Sequence, residues 1–330
     1  MFRFTLVLFS IICCYLNFVI YKSYVMQVNI ISDFNNQEFS NENFIKFKAL
    51  GYDFPNLSGT AFPMYVLFAK YQMVFNDYDG ALKTLNENNN VNPYLMVNES
   101  LSAEVYYKLG IRDSSYLHSK KAYENLPLNT RHFQQYITEL THRKDLDEIN
   151  NTFLKSTGKE NIEFWLYYFS GVINLKDEND HYIDSLANVA LNKFPKDDRI
   201  KTISSYILYG QDKVQKSYEL FNQGVSSFKN NNFDLASQKF IEANRLNPID
   251  YAFSENAGMS LIKTGKFKEA IKYLEVSQES FDKPDDGKSE FGLGLCYKEL
   301  GETSIACDYF AKAMNLNYKP AFGFYSSNCN

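Results

Sequence analysis

The sequence predicts an all-α protein, an α-solenoid of about seven helix-turn-helix pairs preceded by one transmembrane helix. Three observations point to this fold. A skeleton of small and aromatic residues recurs at intervals of 34 along the 330-residue chain, and such a period is typical of stacked supersecondary units. Only 15 Gly and 8 Pro are present, as expected for helices joined by short turns. An apolar segment without charge lies near the start of the chain.

The apolar segment runs from Phe4 to Tyr21 and contains no charged residue. Its eighteen residues would span roughly 27 Å as a helix, enough to cross a hydrocarbon core. We predict a membrane anchor over residues 1–26. A cleaved signal peptide is the competing interpretation, although the segment is long for one and no A-x-A-like site follows. A core helix of a soluble domain is disfavoured because the segment is not amphipathic.

Flanking charge sets the expected orientation of this anchor. Arg3 and the α-amino group precede the segment, and only Lys22 follows it closely. Because positive flanks stay in the cytoplasm, we expect a cytoplasmic N-terminus and extracytoplasmic repeats, periplasmic if the organism is bacterial. Residues 27–61, rich in Asn and containing Pro55, are predicted to form a spacer.

Residues 62–197 contain four degenerate windows of 34 residues in unbroken register. With each window numbered from 1 to 34, small residues recur at positions 8, 20 and 27, and large apolar residues at positions 4, 11 and 24. Ile137 at position 8 and Asn88 at position 27 depart from this rule. Residues that follow it include Tyr65, Ala69, Ala81, Leu85, Ala103, Ala122, Gly171 and Ala190.

Residues 198–216 do not complete a window. Ile200, Ile203 and Ile207 follow a helical stripe, and Gly210 is a suitable end for that helix. We favour an orphan helix within one continuous superhelix. The alternative is a joint between two arrays.

Residues 217–320 contain three windows in near-identical phase, with two residues inserted before the third. Gly, Ala or Ser at positions 8, 20 and 27 allows two helices to cross closely, while larger residues fill the space around the contact. Pro at position 32 ends the second helix. The matching residues are Leu220, Gly224, Ala236, Phe240, Ala243 and Pro248; Gly258, Gly265, Ala270, Leu274 and Ser277; and Leu293, Gly294, Tyr297, Gly301, Ala306, Phe310 and Ala313.

This pattern resembles the tetratricopeptide repeat, and the resemblance extends over most of residues 62–320. It implies a right-handed solenoid that acts as an interaction scaffold. It further implies that positions 2, 5, 9, 12 and 13 of each first helix line a concave face. The tail, residues 321–330, is expected to begin as a short helix and then fray.

The concave positions of the last three windows are apolar with lysines beside them, and we predict that they bind a hydrophobic peptide or helix. The alternative is that several of these residues pack on neighbouring helices. The same positions in the first array are more polar and include Lys70, Glu104, Lys108, Arg131, Gln134 and His142. The predicted partner-binding groove consists of Phe221, Val225, Phe228, Lys229, Met259, Ile262, Lys263, Phe291, Leu295 and Lys298.

A clamp for a C-terminal carboxylate, found in co-chaperone members of the family, is not expected. Only two of its five positions match, because the chain supplies Phe221, Val225, Asn256, Lys288 and Gly292 there.

The sequence predicts no catalytic residue, metal site or cofactor, and so no enzyme. His132 and His142 are interpreted as surface histidines because neither has a partner at metal-ligand spacing. Cys296 and Cys307 are expected to be buried free thiols, unless the repeats face an oxidising compartment. A net charge of −5 argues against a nucleic-acid partner.

Two functions remain open at this point. The first is a membrane-tethered adaptor that binds a protein or peptide partner in a cell-envelope complex. The second is an accessory subunit of an envelope polysaccharide enzyme of the O-antigen ligase-like kind. We favour the adaptor, because the chain has one predicted span and no catalytic loop.

Overall fold

The computed structural model describes residues 2–177, 180–280, 283 and 285–329. Over these ranges the chain forms eighteen α-helices and no β-strand, and the prediction of an all-α fold is confirmed. Pro284, where the sixth window ends, lies outside the described residues, as do Met1 and Asn330. The chain divides into two compact units, unit 1 from Met1 to Glu160 and unit 2 from Asn161 to Asn330.

Unit 1 contains eight helices, and from the third helix onward consecutive helices pack as pairs. A short 3-10 turn at Pro93–Leu95 separates the fourth helix from the fifth. The helices are α1 Phe2–Asn36, α2 Asn41–Leu50, α3 Met64–Val74, α4 Tyr78–Glu87, α5 Val97–Lys108, α6 Arg112–Asn125, α7 Thr130–Arg143 and α8 Leu146–Lys155.

Helix α1 has two halves with different surroundings. From residue 4 to residue 22 its side chains are exposed, apart from the half-buried Cys13 and Val19. From residue 23 onward one face is buried, with Ser23, Met26 and Ile30 at helical spacing. Met26 and Ile30 belong to a core cluster that also contains residues of α2 and α3. The helix therefore continues ten residues beyond the predicted anchor and contributes to the core of unit 1.

Polar contacts fix the end of α1. Asp33 accepts hydrogen bonds from the Tyr71 hydroxyl (2.5 Å), the Asn43 amide (2.9 Å) and the backbone N–H of Ser40 (3.1 Å). Burial would raise the pKa of Asp33, but these donors together lower it. The region predicted as a spacer, residues 27–61, thus contains the end of α1 and all of α2, and it is tied to α3.

Unit 2 contains ten helices within the described ranges, again packed largely as consecutive neighbours. Gly210, with φ 84°, ends the helix that begins at Asp198, as its position in the sequence predicts. The helices are α9 Ile162–Val172, α10 His181–Lys193, α11 Asp198–Tyr209, α12 Gln211–Lys229, α13 Phe233–Leu246, α14 Tyr251–Lys263, α15 Phe267–Gln278, α16 Lys288–Glu299, α17 Thr303–Asn315 and α18 Lys319–Asn328.

In the six windows where position 15 lies among the described residues, it is in the turn between paired helices and adopts a left-handed backbone. Three of these residues are glycine, which accepts a positive φ without steric cost. The others are Asn, which tolerates the conformation, and one Lys, which does not favour it. The residues and their φ values are Asn76 63°, Gly110 75°, Lys144 57°, Asn231 59°, Gly265 73° and Gly301 84°.

Candidate functional site: two surfaces for a peptide partner

The predicted C-terminal groove residues lie on the first helices of three pairs and contact different clusters. Phe221, Val225 and Phe228, on α12, pack against the cluster of Ala236, Phe240 and Ala257. Met259 and Ile262, on α14, pack against the cluster around Leu274 and Leu293. Leu295, on α16, packs beside Phe291 against Phe310 and Ala313. Each group therefore packs against the second helix of its own pair and against the helix that follows.

Phe221, which is half-buried, and Phe291, which is buried, each contact aromatic rings of two other helices. The Phe221 ring lies 5.4 Å from Phe240 and 5.2 Å from Phe253, measured between centroids. Phe291 is 7% exposed and contacts Phe324 of α18 at 5.1 Å. These two side chains contribute to the core of unit 2, as the alternative interpretation expects.

The remaining groove residues present some surface to solvent. Val225, Phe228, Met259, Ile262 and Leu295 are half-buried. Lys229 and Lys263 are exposed. Lys298 is half-buried, and its Nζ lies 3.2 Å from Glu299 Oε1. What the described residues offer here is a row of half-buried apolar side chains with basic residues beside it.

A cavity of about 220 Å³ lies within unit 1, between the first helices α3, α5 and α7 and the end of α1. Its apolar wall combines aromatic and aliphatic side chains, and its polar residues come from three helices and one turn. The apolar residues are Phe34, Phe62, Val66, Val97 and Leu101, and the polar ones are Lys70, Ser100, Asn129, Arg131 and His132.

Two cationic side chains at this cavity share one carboxylate. Lys70 contacts one oxygen of Glu104, and Arg131 Nη2 lies 2.8 Å from the other. Lys70 is largely buried, with 18% of its side chain exposed, whereas Arg131 is 58% exposed. The three groups together carry one net positive charge, which favours an anionic neighbour.

His132 is the most buried polar residue of this cavity. It is 2% exposed, and its Nδ1 has no hydrogen-bond partner among the described residues. A hydrogen bond to the Ala122 carbonyl would then use the other ring nitrogen, Nε2. Burial, with a smaller contribution from the charge of Arg131, lowers the pKa of His132 to about 4. The ring is therefore neutral near pH 7, and Nδ1 is a buried nitrogen without a partner among the described residues.

The interpretation of His132 as a surface histidine is wrong, because the helix that carries it packs this ring into the unit. His142, on the same helix, is exposed as predicted, and its Nε2 lies 3.1 Å from the Tyr107 hydroxyl. The sequence pattern could not separate the two, since whether a ring is covered depends on the neighbouring helices.

The cysteines also differ from expectation. Cys296 is a buried free thiol, as predicted, and burial raises its pKa to about 12. Cys307 is instead paired in a disulfide with Cys329, across a Cα–Cα distance of 5.5 Å. The sequence predicts a tail that begins as a short helix and then frays. The tail instead forms α18, which continues to Asn328, and its end returns to α17, where Cys329 meets Cys307.

One helix pair matches a known family. A family model described as tetratricopeptide repeat matches residues 288–317, which span α16 and α17. The chain therefore contains a tetratricopeptide repeat. No curated protein matches the chain.

The solved structures that resemble this chain have low sequence identity to it and low TM-scores. The P58(IPK) TPR domain is 15% identical, with a TM-score of 0.33, over 79% of this chain and 62% of that one. The TPR2AB domain of yeast Sti1, solved with pHSP90, is 14% identical (TM-score 0.33; 71% and 98%). A tetratricopeptide repeat protein from Parabacteroides merdae is 12% identical (TM-score 0.33; 94% and 100%). Likenesses of this strength say nothing about partners.

Proposed function

We propose that this protein is a membrane-tethered scaffold that holds a protein or peptide partner outside the cytoplasm. The observation that carries the proposal is the division of α1. Its first half is an exposed apolar rod, and its second half is part of the core of unit 1. An exposed apolar surface of this length needs a hydrophobic environment, and a lipid bilayer provides one for a single helix.

The buried face of α1 beyond residue 22 limits where a signal peptidase could cut. Cleavage directly after the apolar run would leave Ser23, Met26 and Ile30 in place, whereas cleavage further along α1 would remove side chains that pack against α2 and α3. We favour an anchor that stays attached because the apolar segment is long for a signal peptide and no A-x-A-like site follows it.

The disulfide supports an extracytoplasmic location for unit 2. Disulfides persist in oxidising compartments and are rare in the cytosol. The pairing of Cys307 with Cys329 therefore agrees with the orientation expected from Arg3 and Lys22.

The partner-binding part of the proposal concerns the half-buried row of unit 2. We propose that it binds an apolar peptide segment with acidic residues, because Lys229 and Lys263 lie exposed beside it. Lys229→Glu and Lys263→Glu should weaken capture of such a peptide and leave helicity unchanged. Phe221→Glu should instead reduce helicity, since that ring contacts two other helices.

The experiment for the tether uses the full chain with a C-terminal tag, expressed in its own cells. We expect it in the membrane fraction after alkaline carbonate washing, with an intact N-terminus by mass spectrometry and its tag accessible from outside the cytoplasm. Crosslinking in the membrane then identifies the partner. A polysaccharide enzyme as that partner would favour the accessory-subunit alternative. A chain that appears in the carbonate supernatant would contradict the tether.

A further inference from the structure

The first half of α1 carries two polar side chains on one face. Ser10 and Asn17 lie seven residues apart, about two turns of a helix, and both are exposed within the proposed anchor. The Ser10 hydroxyl donates to the Leu6 carbonyl at 3.0 Å, and one N–H of the Asn17 amide donates to the Cys13 carbonyl at 2.8 Å. The second N–H and the oxygen of that amide have no hydrogen bond among the described residues. A bilayer core contains no water that could pair with them.

The face that carries these two residues continues beyond the anchor as exposed apolar surface. After residue 22, the exposed large apolar side chains of α1 are Tyr24, Val25, Val28 and Ile31. Three of the four continue the spacing of Ser10 and Asn17, because residues 10, 17, 24 and 31 are seven apart and residue 28 lies between the last two. Water faces this stretch in the proposed arrangement, and a contiguous apolar patch in water marks an interaction site. One partner helix would cover the stripe both in lipid and in water.

The stripe is a heptad seam, which is a row of residues at alternating spacings of three and four. It runs from residue 7 to residue 31, roughly three and a half heptads, a length typical of coiled coils. Every member is exposed. The seam residues are Val7, Ser10, Cys14, Asn17, Tyr21, Tyr24, Val28 and Ile31.

The surface of the seam has the shape that a facing helix needs. A shallow notch near its start is lined by Leu6, Val7, Ser10, Ile11 and Cys14. The last four of these residues have the spacing of the four-residue hole that receives a side chain of the facing helix in a coiled coil. Ser10 and Cys14 are small, and small residues allow two membrane helices to approach closely.

Unit 1 leaves the seam free. The buried side chains of α1, which pack on the rest of unit 1, lie on another face of the helix. Because each residue turns the helix by about 100°, the mean direction of that face differs by roughly 120° from that of Tyr24, Val28 and Ile31. A second helix can therefore lie along the seam without displacing α2 or α3. The buried residues are Ser23, Met26, Gln27 and Ile30.

A second copy of this chain matches the seam in direction, depth and hydrogen bonding. It enters the membrane in the same direction, so its helix is parallel and each seam residue meets its own counterpart at the same depth. A carboxamide offers both a donor and an acceptor, and two Asn17 amides can therefore satisfy each other. The helix of another protein would need a matching polar group at that depth.

We propose that α1 pairs with α1 of a second copy as a parallel two-stranded coiled coil along this seam, with the two Asn17 amides hydrogen-bonded to each other within the bilayer. The inference rests on the proposed membrane anchor. It goes beyond the scaffold function by assigning a partner to the anchor itself, and that partner is the same chain.

Two native cysteines test the seam. Cys14 belongs to the seam and Cys13 lies beside it. The full chain is expressed with a C-terminal tag, and membranes washed with alkaline carbonate are oxidised with copper–phenanthroline. Cys13→Ala, which keeps Cys14, should give a product of twice the chain mass. Cys14→Ala, which keeps Cys13, should give about tenfold less, because Cα atoms more than about 7 Å apart are not bridged by a disulfide.

A second pair of variants repeats the comparison outside the lipid. Val28→Cys and Asn29→Cys are each placed in the Cys13→Ala/Cys14→Ala chain. Both positions are exposed, but only residue 28 belongs to the seam. Val28→Cys should therefore crosslink, and Asn29→Cys should not.

Asn17→Leu tests the amide. Sedimentation equilibrium of the Cys13→Ala/Cys14→Ala chain in detergent gives the dissociation constant of the pair. Asn17→Leu should raise this constant roughly three- to tenfold, as expected for the loss of a hydrogen bond between membrane helices. Leu16→Ala, at an exposed position outside the seam, is the matched control and should leave the constant unchanged.

Several outcomes would overturn the pair. They are equal crosslinking of Cys13 and Cys14, equal crosslinking at residues 28 and 29, a sedimenting mass of one or three chains, or a crosslinked product that contains another protein. A chain that stays in the washed membrane without a seam-specific product would contradict the pair alone. A chain that carbonate releases but that still crosslinks through Val28→Cys would contradict the tether alone.

Discussion

Gly224 of α12 lies directly against the ring of Phe240 of α13, so closely that a Cβ on Gly224 would stand 2.7 Å from ring Cε1. The same contact recurs in the next two pairs. A Cβ on Gly258 would stand 2.6 Å from Cγ of Leu274, and one on Gly294 would stand 2.5 Å from the Phe310 ring. In each case position 8 of the window meets position 24, which confirms that position 8 is a point of close helix approach.

Replacement of any of these three glycines by alanine should destabilise unit 2. Phe240, Leu274 and Phe310 are at most 1% exposed, and a buried side chain cannot yield without moving its neighbours. We expect a loss of about 1–3 kcal/mol in the free energy of unfolding, measured by urea titration. Gly323→Ala is the control, since a Cβ there meets nothing within 4 Å in helix α18. That variant should gain up to about 1 kcal/mol.

Truncation of α1 should separate its two halves. A chain that starts at residue 23 should lose its membrane association and keep the fold of unit 1, because every fully buried side chain of α1 remains. A chain that starts at residue 37 loses Met26, Ile30 and the Asp33–Tyr71 hydrogen bond. We expect a cost above about 5 kcal/mol, comparable with the stability of a small domain.

Limited proteolysis read by mass spectrometry checks this difference. Unit 1 should be resistant in the chain that starts at residue 23 and cleaved in the chain that starts at residue 37, while unit 2 resists in both. Equal resistance of unit 1 in the two chains would contradict the core role of α1.

Lys144→Gly should stabilise unit 1. Lys144 has φ 57° at the turn between α7 and α8, where a side chain is unfavourable. Glycine at this place should raise the free energy of unfolding by about 1 kcal/mol. The reciprocal variant is Gly110→Ala, at the same position of another turn with φ 75° and open space around it. The Gly110→Ala variant should lose about the same free energy of unfolding as Lys144→Gly gains. A gain in both variants would refute the idea that a side chain at a positive φ is strained in these turns.

Reduction of the Cys307–Cys329 disulfide should loosen the end of unit 2. The bond closes a loop with a sequence separation of 22, and loops of this length contribute about 3 kcal/mol in the chain-entropy account. Cys329→Ser should lower the free energy of unfolding by this order, and dithiothreitol should have no further effect on that variant. Free thiols at both positions in protein from an oxidising compartment would contradict the pairing.

Acid should weaken unit 1 through His132. Its pKa is about 4 in the folded chain and 6.5 as an ordinary histidine, so the unfolded chain binds the proton first. Stability is therefore lost as the pH falls from 6.5 to 4, by up to about 3 kcal/mol. Urea unfolding at pH 7, 5 and 4 measures this loss in the free energy of unfolding. The His132→Asn variant should lose less free energy of unfolding between pH 7 and pH 4 than the parent does. An identical pH dependence in parent and variant would disprove the buried neutral ring.

The repeat frame could be predicted because it depends on spacing. Gly224 and Phe240 meet since positions 8 and 24 fall on facing surfaces of two paired helices, and this follows from the period of the sequence. The left-handed turns have a sequence signal only where position 15 is glycine, at Gly110, Gly265 and Gly301. Lys144 carried no such signal, because nothing in a lysine marks a positive φ.

The covered face of α1 and the cavity could not be predicted. Four residues of α1 are buried, and two of them, Ser23 and Gln27, are polar. The buried face of this helix therefore does not appear in the sequence as a stripe of apolar residues. The cavity depends on how side chains of three different windows meet one another and Phe34 of α1. The Cys307–Cys329 pair likewise depends on the path of α18, which composition does not determine.

If α1 is a membrane anchor as proposed, its uninterrupted course fixes the orientation of unit 1 relative to the bilayer. About 18 Å of helix separate residue 22 from Phe34, which closes one side of the cavity, and no proline or glycine breaks the helix between them. In the proposed arrangement the lipid-embedded rod and the cavity wall turn together. One added residue between them would swing the opening by about 100° around the axis. The anchor then determines not only where a partner is held but also from which direction it must arrive.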